Sequence, residues 1–134
     1  LDVSATPEGR GTALRTVAAV REVLPIPLTV GGGVRTLADA SALLQAGADK
    51  VGINTAAFEN PALLTAVAEQ LGRQCTVVSV DAARRRDAAG WEVVTRSGTR
   101  RTGRDALDWA DEAVARGAGE ILLTSWDRDG TRDG

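Results

Sequence analysis

The chain has 134 residues, 43% of them apolar and 25% charged, with a formal net charge of -2. These values fit one soluble domain, residues 1–134, with a real core, and they argue against a nucleic-acid partner or an anionic membrane surface. Histidine and tyrosine are absent, which excludes Ser-His-Asp and Cys-His nucleophile systems and a histidine-bound metal within these residues.

Leu1 to Ser4 reads as the end of a strand, with Asp2 at its C-terminal tip. The loop Ala5 to Gly11 carries turn residues, and Thr12 is expected to cap a helix. That helix shows Leu14, Val17, Val20 and Leu24 at helical spacing and stops at Pro25 and Pro27. Leu28 to Gly32 reads as a strand running into Gly31, Gly32 and Gly33. Thr36 opens the next helix with Asp39 three residues on, a variant of the capping box. Leu37, Ala40, Leu43 and Leu44 give that helix its apolar face, and Gly47 ends it.

Lys50 to Asn54 is a short strand. Asn60 is expected to cap the following helix, with Pro61 in its first turn. Leu63, Leu64, Val67 and Leu71 form its apolar side, and Gly72 closes it. Thr76 to Asp81 is rich in β-branched residues and reads as a buried parallel strand ending at one carboxylate. Between Arg84 and Arg101 the pattern predicts a β-hairpin with its turn at Ser97-Gly98. Thr102 and Asp105 open a helix whose expected apolar side is Leu107, Trp109, Ala110 and Val114, with Gly117 at its end. Glu120 to Thr124 is the last strand. Strands alternating with helices predict an α/β fold built on a parallel sheet. Leu1–Gly9 and Leu122–Gly130 echo each other faintly, as in a duplicated barrel.

In a parallel sheet the C-terminal strand ends share one face. Asp2, the glycines 31–33, Asn54, Thr55, Asp81, Thr124 and Ser125 all fall there, which marks that face for chemistry. Gly32 and Gly33 let an anion approach backbone N–H groups closely, unless they simply make a tight turn. Asn54 and Thr55 can donate to the same anion, and Gly130, after Asp127 and Asp129, can form a second cradle. Asp81 is the candidate proton-transfer group, which requires partial burial or a second carboxylate nearby. Asp49 and Lys50 sit at the opposite end of their strand, where spacing alone gives an ordinary salt bridge. The arginines between Arg84 and Arg101 either draw in a phosphorylated substrate or are simply solvated. Cys75 has no internal partner, suits a reducing cytoplasm, and reads as a small buried hydrophobe entering a strand. No cofactor or metal is expected. No apolar run approaches membrane-span length, and neither a signal peptide nor a starting Met is visible.

LDVSA (1–5), TVGGGVR (29–35), AGADKVGINTAAFENP (46–61), VVSVDA (77–82), GWEVVTRSG (90–98) and GAGEILLTSWDRDGTRDG (117–134) together resemble the cyclase subunit of imidazole glycerol phosphate synthase. The resemblance covers essentially the whole chain. It implies a (β/α)8 TIM barrel in histidine biosynthesis, working in the cytoplasm with a glutaminase subunit that supplies ammonia. The substrate it implies carries a phosphate at each end, and the products are imidazole glycerol phosphate and a carboxamide ribotide. Asp81 matches a general acid/base; Gly33, Asn54 and Thr55 match one phosphate site; Gly130 matches part of the other, with Thr124 and Asp129 beside the substrate. Asp49 and Lys50 match the rim where the glutaminase docks and ammonia enters.

Such barrels run to about 250 residues. The expectation is therefore an incomplete barrel, from about strand 2 to strand 6, lacking a first-strand aspartate and half of one phosphate grip. Alone it is expected to be inactive and to expose sheet edges and apolar interior. Three alternatives stay open: the sister isomerase of the same pathway, which needs no ammonia; a phosphate-binding module without catalysis; and a half-barrel that pairs with itself. Asn54 and the GWEVVTRSG hairpin favour the cyclase over the isomerase.

Overall fold

The computed structural model describes residues 7–126. Helix α1 (Pro7–Val23) leads to strand β1 (Thr29–Gly31), helix α2 (Leu37–Ala46), strand β2 (Lys50–Ile53), short helix α3 (Thr55–Glu59) and helix α4 (Ala62–Leu71). Strand β3 (Thr76–Arg84), the hairpin strands β4 (Trp91–Thr95) and β5 (Arg100–Asp105), helix α5 (Ala106–Arg116) and strand β6 (Glu120–Ser125) complete the described chain. The fold is mixed α/β with one six-stranded, mainly parallel sheet.

Strands β1, β2, β3 and β6 run parallel in that spatial order. Strand β6 occupies one edge of β3 from Val77 to Ala82. The other edge is shared. Strand β2 covers it from Thr76 to Val78, and β4 covers it antiparallel from Asp81 to Arg84. Strands β2 and β4 therefore approach each other end to end along β3, and the residues just past Ile53 meet those just past Thr95.

Helix side chains Val17, Leu43, Leu64, Val67 and Trp109 close over Val30, Val51, Ile53, Val78 and Val80 on one face of the sheet. Each such burial contributes about 1.5–3 kcal/mol. The expected helix ends form where the sequence places them. Thr36 Oγ1 accepts from Asp39 N at 3.1 Å, and the Asp39 carboxylate accepts from Arg35 N at 3.0 Å. Gly47 closes α2 at φ 126°, and a Cβ there would lie 2.9 Å from Arg21 side-chain carbons, so only glycine fits. Asp105 caps α5 by accepting from Asp108 N at 3.0 Å.

Several expectations are corrected. Helix α1 starts at Pro7 rather than after Thr12, since proline is well suited to a first helical turn. Leu24 lies beyond its end and is exposed. Asn60 makes no side-chain cap; its carbonyl accepts from Leu63 N, and Pro61 takes the cap position of α4. Strand β3 does not stop at Asp81 but runs on to Arg84, because the hairpin supplies it with a new partner. Cys75 is only partly buried and lies in a 3-10 turn before β3. Thr102 belongs to β5, where its hydroxyl donates to Val93 O at 2.6 Å across a bulge. On α5 the buried residues are Ala106, Trp109 and Ala113, whereas Leu107 and Val114 are exposed. The strand expected at Leu1–Ser4, with Asp2, lies outside the described residues.

Candidate active site

Alternation along the strands assigns the second face of the sheet. Val51, Ile53, Val78, Val80 and Ala82 enter the helix-side core, and Ile121 packs against it. Lys50, Gly52, Asn54, Val77, Ser79, Asp81, Glu120, Leu122 and Thr124 then fall on the other, inner face. Register orders them by height. Asp81 is opposite Thr124 and Val77 opposite Glu120, while Val51 is opposite Thr76. Lys50 and Glu120 thus mark the foot of the inner face, and Asn54, Asp81 and Thr124 its upper rim, about 13 Å away.

At the upper rim Asn54 Nδ2 donates to Asp81 Oδ2 at 2.9 Å, a half-buried bond. It fixes one carboxylate oxygen and leaves Oδ1 without a partner among the described residues. A carboxylate held this way keeps one oxygen available to take or give a proton. Asn54 reaches Asp81 because β2 ends beside Val78 and the chain then turns into α3 along the edge that β4 also uses. Strand β1 runs beside β2 with Gly31 opposite Gly52. Gly32 and Gly33 therefore leave β1 at the level where Asn54 and Thr55 leave β2. Their φ values, 91° and 73°, lie in the left-handed region, which favours glycine at both positions. Thr55 Oγ1 accepts from Arg96 N in the hairpin turn at 3.0 Å.

At the foot Lys50 Nζ pairs with Glu120 Oε1 at 2.7 Å. The Glu120 hydrogen bond, and then its charge, hold the Lys50 amine above the ordinary lysine range. Asp49 does not pair with Lys50. Its carboxylate accepts from Leu28 N at 2.7 Å and from the Arg21 guanidinium. The Leu28 bond is the main cause that holds Asp49 below the usual carboxylate range, with Arg21 adding to it.

The sheet brings Asn54, Thr55, Asp81 and Thr124 to one rim, with the glycines alongside, and sets Asp49 and Lys50 at the opposite end. Asp129 and Gly130 lie outside the described residues. Sequence spacing gave no sign of Glu120 as the Lys50 partner, because that contact joins residues 70 positions apart. Trp126 was also missed, and Arg96 was weighed only among the hairpin arginines, without its contact to Thr55; both roles arise from how the hairpin docks. Some of the hairpin arginines have partners on the protein, while Arg86 and Arg100 are exposed. Arg84 lies over the Trp91 ring, Arg96 pairs with Glu59, and Arg101 pairs with Glu92. An open groove of about 380 Å³ between α3 and the hairpin is lined by Phe58, Glu59, Thr95, Arg100, Arg101 and Thr102. Of the candidate residues it contains only the hairpin arginines Arg100 and Arg101. Among the described residues no group of three His, Cys, Asp or Glu side chains could hold a metal, and no helix is long and apolar enough to cross a membrane.

Comparison with known proteins gives consistent results. Residues 1–134 match the family described as "Histidine biosynthesis protein". The chain is 58% identical over 134 residues to the imidazole glycerol phosphate synthase subunit HisF of Metallosphaera sedula, covering 100% of this chain and 53% of that one. It is 58% identical to the protein of the same name from Myxococcus xanthus and 56% to that from Hyphomonas neptunium, in each case covering 52% of the relative. The chain spans about half the length of the curated relatives it matches. On the strength of a match that runs its whole length, this chain belongs to the family of histidine biosynthesis proteins.

Proposed function

We propose that this chain is the strand 2 to strand 6 portion of a (β/α)8 cyclase, the imidazole glycerol phosphate synthase cyclase subunit. In that role the complete protein takes ammonia from a glutaminase partner in the cytoplasm. It converts a ribulosyl aminoimidazole carboxamide ribotide, phosphorylated at both ends, into imidazole glycerol phosphate and aminoimidazole carboxamide ribotide. Asp81 is the general acid/base. Gly32, Gly33, Asn54 and Thr55 hold one phosphate. Thr124, with Asp129 and Gly130, serves the other end of the substrate. Asp49 and Lys50 face the glutaminase at the foot, where the Lys50–Glu120 pair stands beside the ammonia entrance. The 134 residues alone are inactive, because a second acid/base and part of the second phosphate grip lie outside them.

The observation that carries this reading is the Asn54–Asp81 hydrogen bond, which joins the proton-transfer group to the candidate phosphate rim. The names of the relatives support the choice of reaction. The test is Asp81→Asn in the full-length protein, assayed with ammonia. A kcat loss of about 100- to 10,000-fold with KM little changed is expected for a lost general acid/base. Unchanged kcat would remove Asp81 from the catalytic machinery, and a parent that binds phosphate without turnover would be a phosphate-binding module without catalysis. Turnover of the isomerase substrate in place of the cyclase substrate would reassign the reaction to the sister isomerase.

A further inference from the structure

The turn of the β4–β5 hairpin touches both sides of the rim. On one side Arg96 N donates to Thr55 Oγ1 at 3.0 Å, and Arg96 Nη2 pairs with Glu59 Oε2 at 2.8 Å. On the other side Gly98 lies flat on the indole of Trp126. A Cβ at Gly98 would sit 2.8 Å from the ring carbons Cε3 and Cζ3, and Gly98 has φ 80°. Trp126 is itself anchored, since its backbone N–H donates to Ala82 O at 2.8 Å, one residue past Asp81. The turn is tightly wound: Arg96 and Ser97 hold φ of 53° and 57°, and Arg96 O accepts from Thr99 Oγ1 at 2.7 Å. It therefore spans from the segment after β2 to the segment after β6, across β3 at the level of Asp81.

The contact with Thr55 has a chemical consequence. A hydroxyl has one hydrogen to donate and two lone pairs that accept. Arg96 N occupies a lone pair, and the Thr55 hydrogen has no acceptor among the described residues. The bond orients the hydroxyl and makes it a better donor, because linked hydrogen bonds polarise one another. We propose that the turn Arg96–Gly98 is a positioning element. It sets the Thr55 hydroxyl to donate to a bound phosphate, and it can do so only because Gly98 lets the turn seat on Trp126. This deepens the phosphate reading of Thr55 given above and rests on it.

The experiment is a double-mutant cycle in the full-length protein, reading the dissociation constant of inorganic phosphate. Thr55→Val is expected to weaken phosphate binding about five- to tenfold, the usual effect of one hydrogen bond to an anion. Gly98→Val should weaken it by a similar factor, since it lifts the turn off Trp126 and withdraws Arg96 N from Thr55. The two together should do little more than either alone. Trp126→Ala, which removes the seat without inserting a clash, should act in the same direction and keeps the test open if Gly98→Val does not fold. A merely structural turn would lower the melting temperature of Gly98→Val and Trp126→Ala yet leave phosphate affinity unchanged. That result, with Thr55→Val still weakened, overturns the positioning role and spares the phosphate site. Phosphate binding unaffected by Thr55→Val overturns both.

Discussion

Lys50 and Glu120 meet at 2.7 Å across the foot of β3, each on the strand that flanks it. Both side chains are well exposed, so the pair adds little to folding, and Lys50→Met should barely move the melting temperature. Glu120 raises the Lys50 pKa. What it adds is therefore present at neutral pH and lost only as pH rises through the elevated lysine value, above about pH 10. If the foot receives ammonia from a partner, Lys50→Met in the full-length protein should reduce glutamine-driven turnover and leave ammonia-driven turnover largely intact. Equal losses in the two assays would place Lys50 among residues that support the fold generally.

Asp49 behaves oppositely with pH. The Leu28 N–H bond, and after it Arg21, lower its pKa. The stability it adds is present above the ordinary aspartate value and lost as pH falls through the lower, folded one, below about pH 4. Asp49→Asn should be less stable than the parent at neutral pH, and the difference should shrink in acid. Melting temperature against pH checks this. Glu112, held low chiefly by a hydrogen bond from Arg104, contributes a similar slope, so Glu112→Gln is the matched control.

Trp109 couples the core to the rim. It is 1% exposed, meets the Phe58 ring edge-on at 5.3 Å, and has Arg104 over its face. Phe58 belongs to α3, the short helix that begins next to Asn54. Trp109→Ala should cost about 3–5 kcal/mol by emptying this junction. Urea denaturation measures it, as a lower midpoint with unchanged slope.

The elements that read most clearly from sequence are those fixed by neighbours in the chain. Thr36 with Asp39, Gly47, the apolar run of β3 and the hairpin turn each depend on residues within a few positions. What did not read depends on distant pairing. Strand β3 outlasts Asp81 because Trp91 to Val94 pair with it, and the sequence before Arg84 carries no trace of that. On α5 two faces have helical periodicity, Ala106–Trp109–Ala113 and Leu107–Val114. The hydrophobicity rule favours the second, but the structure buries the first. Gly117, just beyond α5, shows why small residues are needed where it meets α4: a Cβ there would lie 2.5 Å from the Ala68 Cβ. For the site, residue types at strand ends pointed to the rim, while the Asn54–Asp81 bond required the end-to-end meeting of β2 and β4.

Leu122 and Leu123 give the last prediction. Successive residues of a strand point to opposite faces, so one lies on the inner face and the other on the helix side. Both are exposed, at 55% and 66%. Among the described residues β6 pairs with β3 alone, leaving its second edge open beside these two leucines. An open edge flanked by apolar side chains on both faces is a template for pairing with another strand. The 134-residue chain should therefore self-associate at micromolar concentration. Leu123→Lys should shift it toward monomer, and Leu122→Lys with Leu123→Lys should do so further, as edge charges oppose pairing. Sedimentation velocity distinguishes the outcomes. A parent that sediments as a monomer would overturn the prediction.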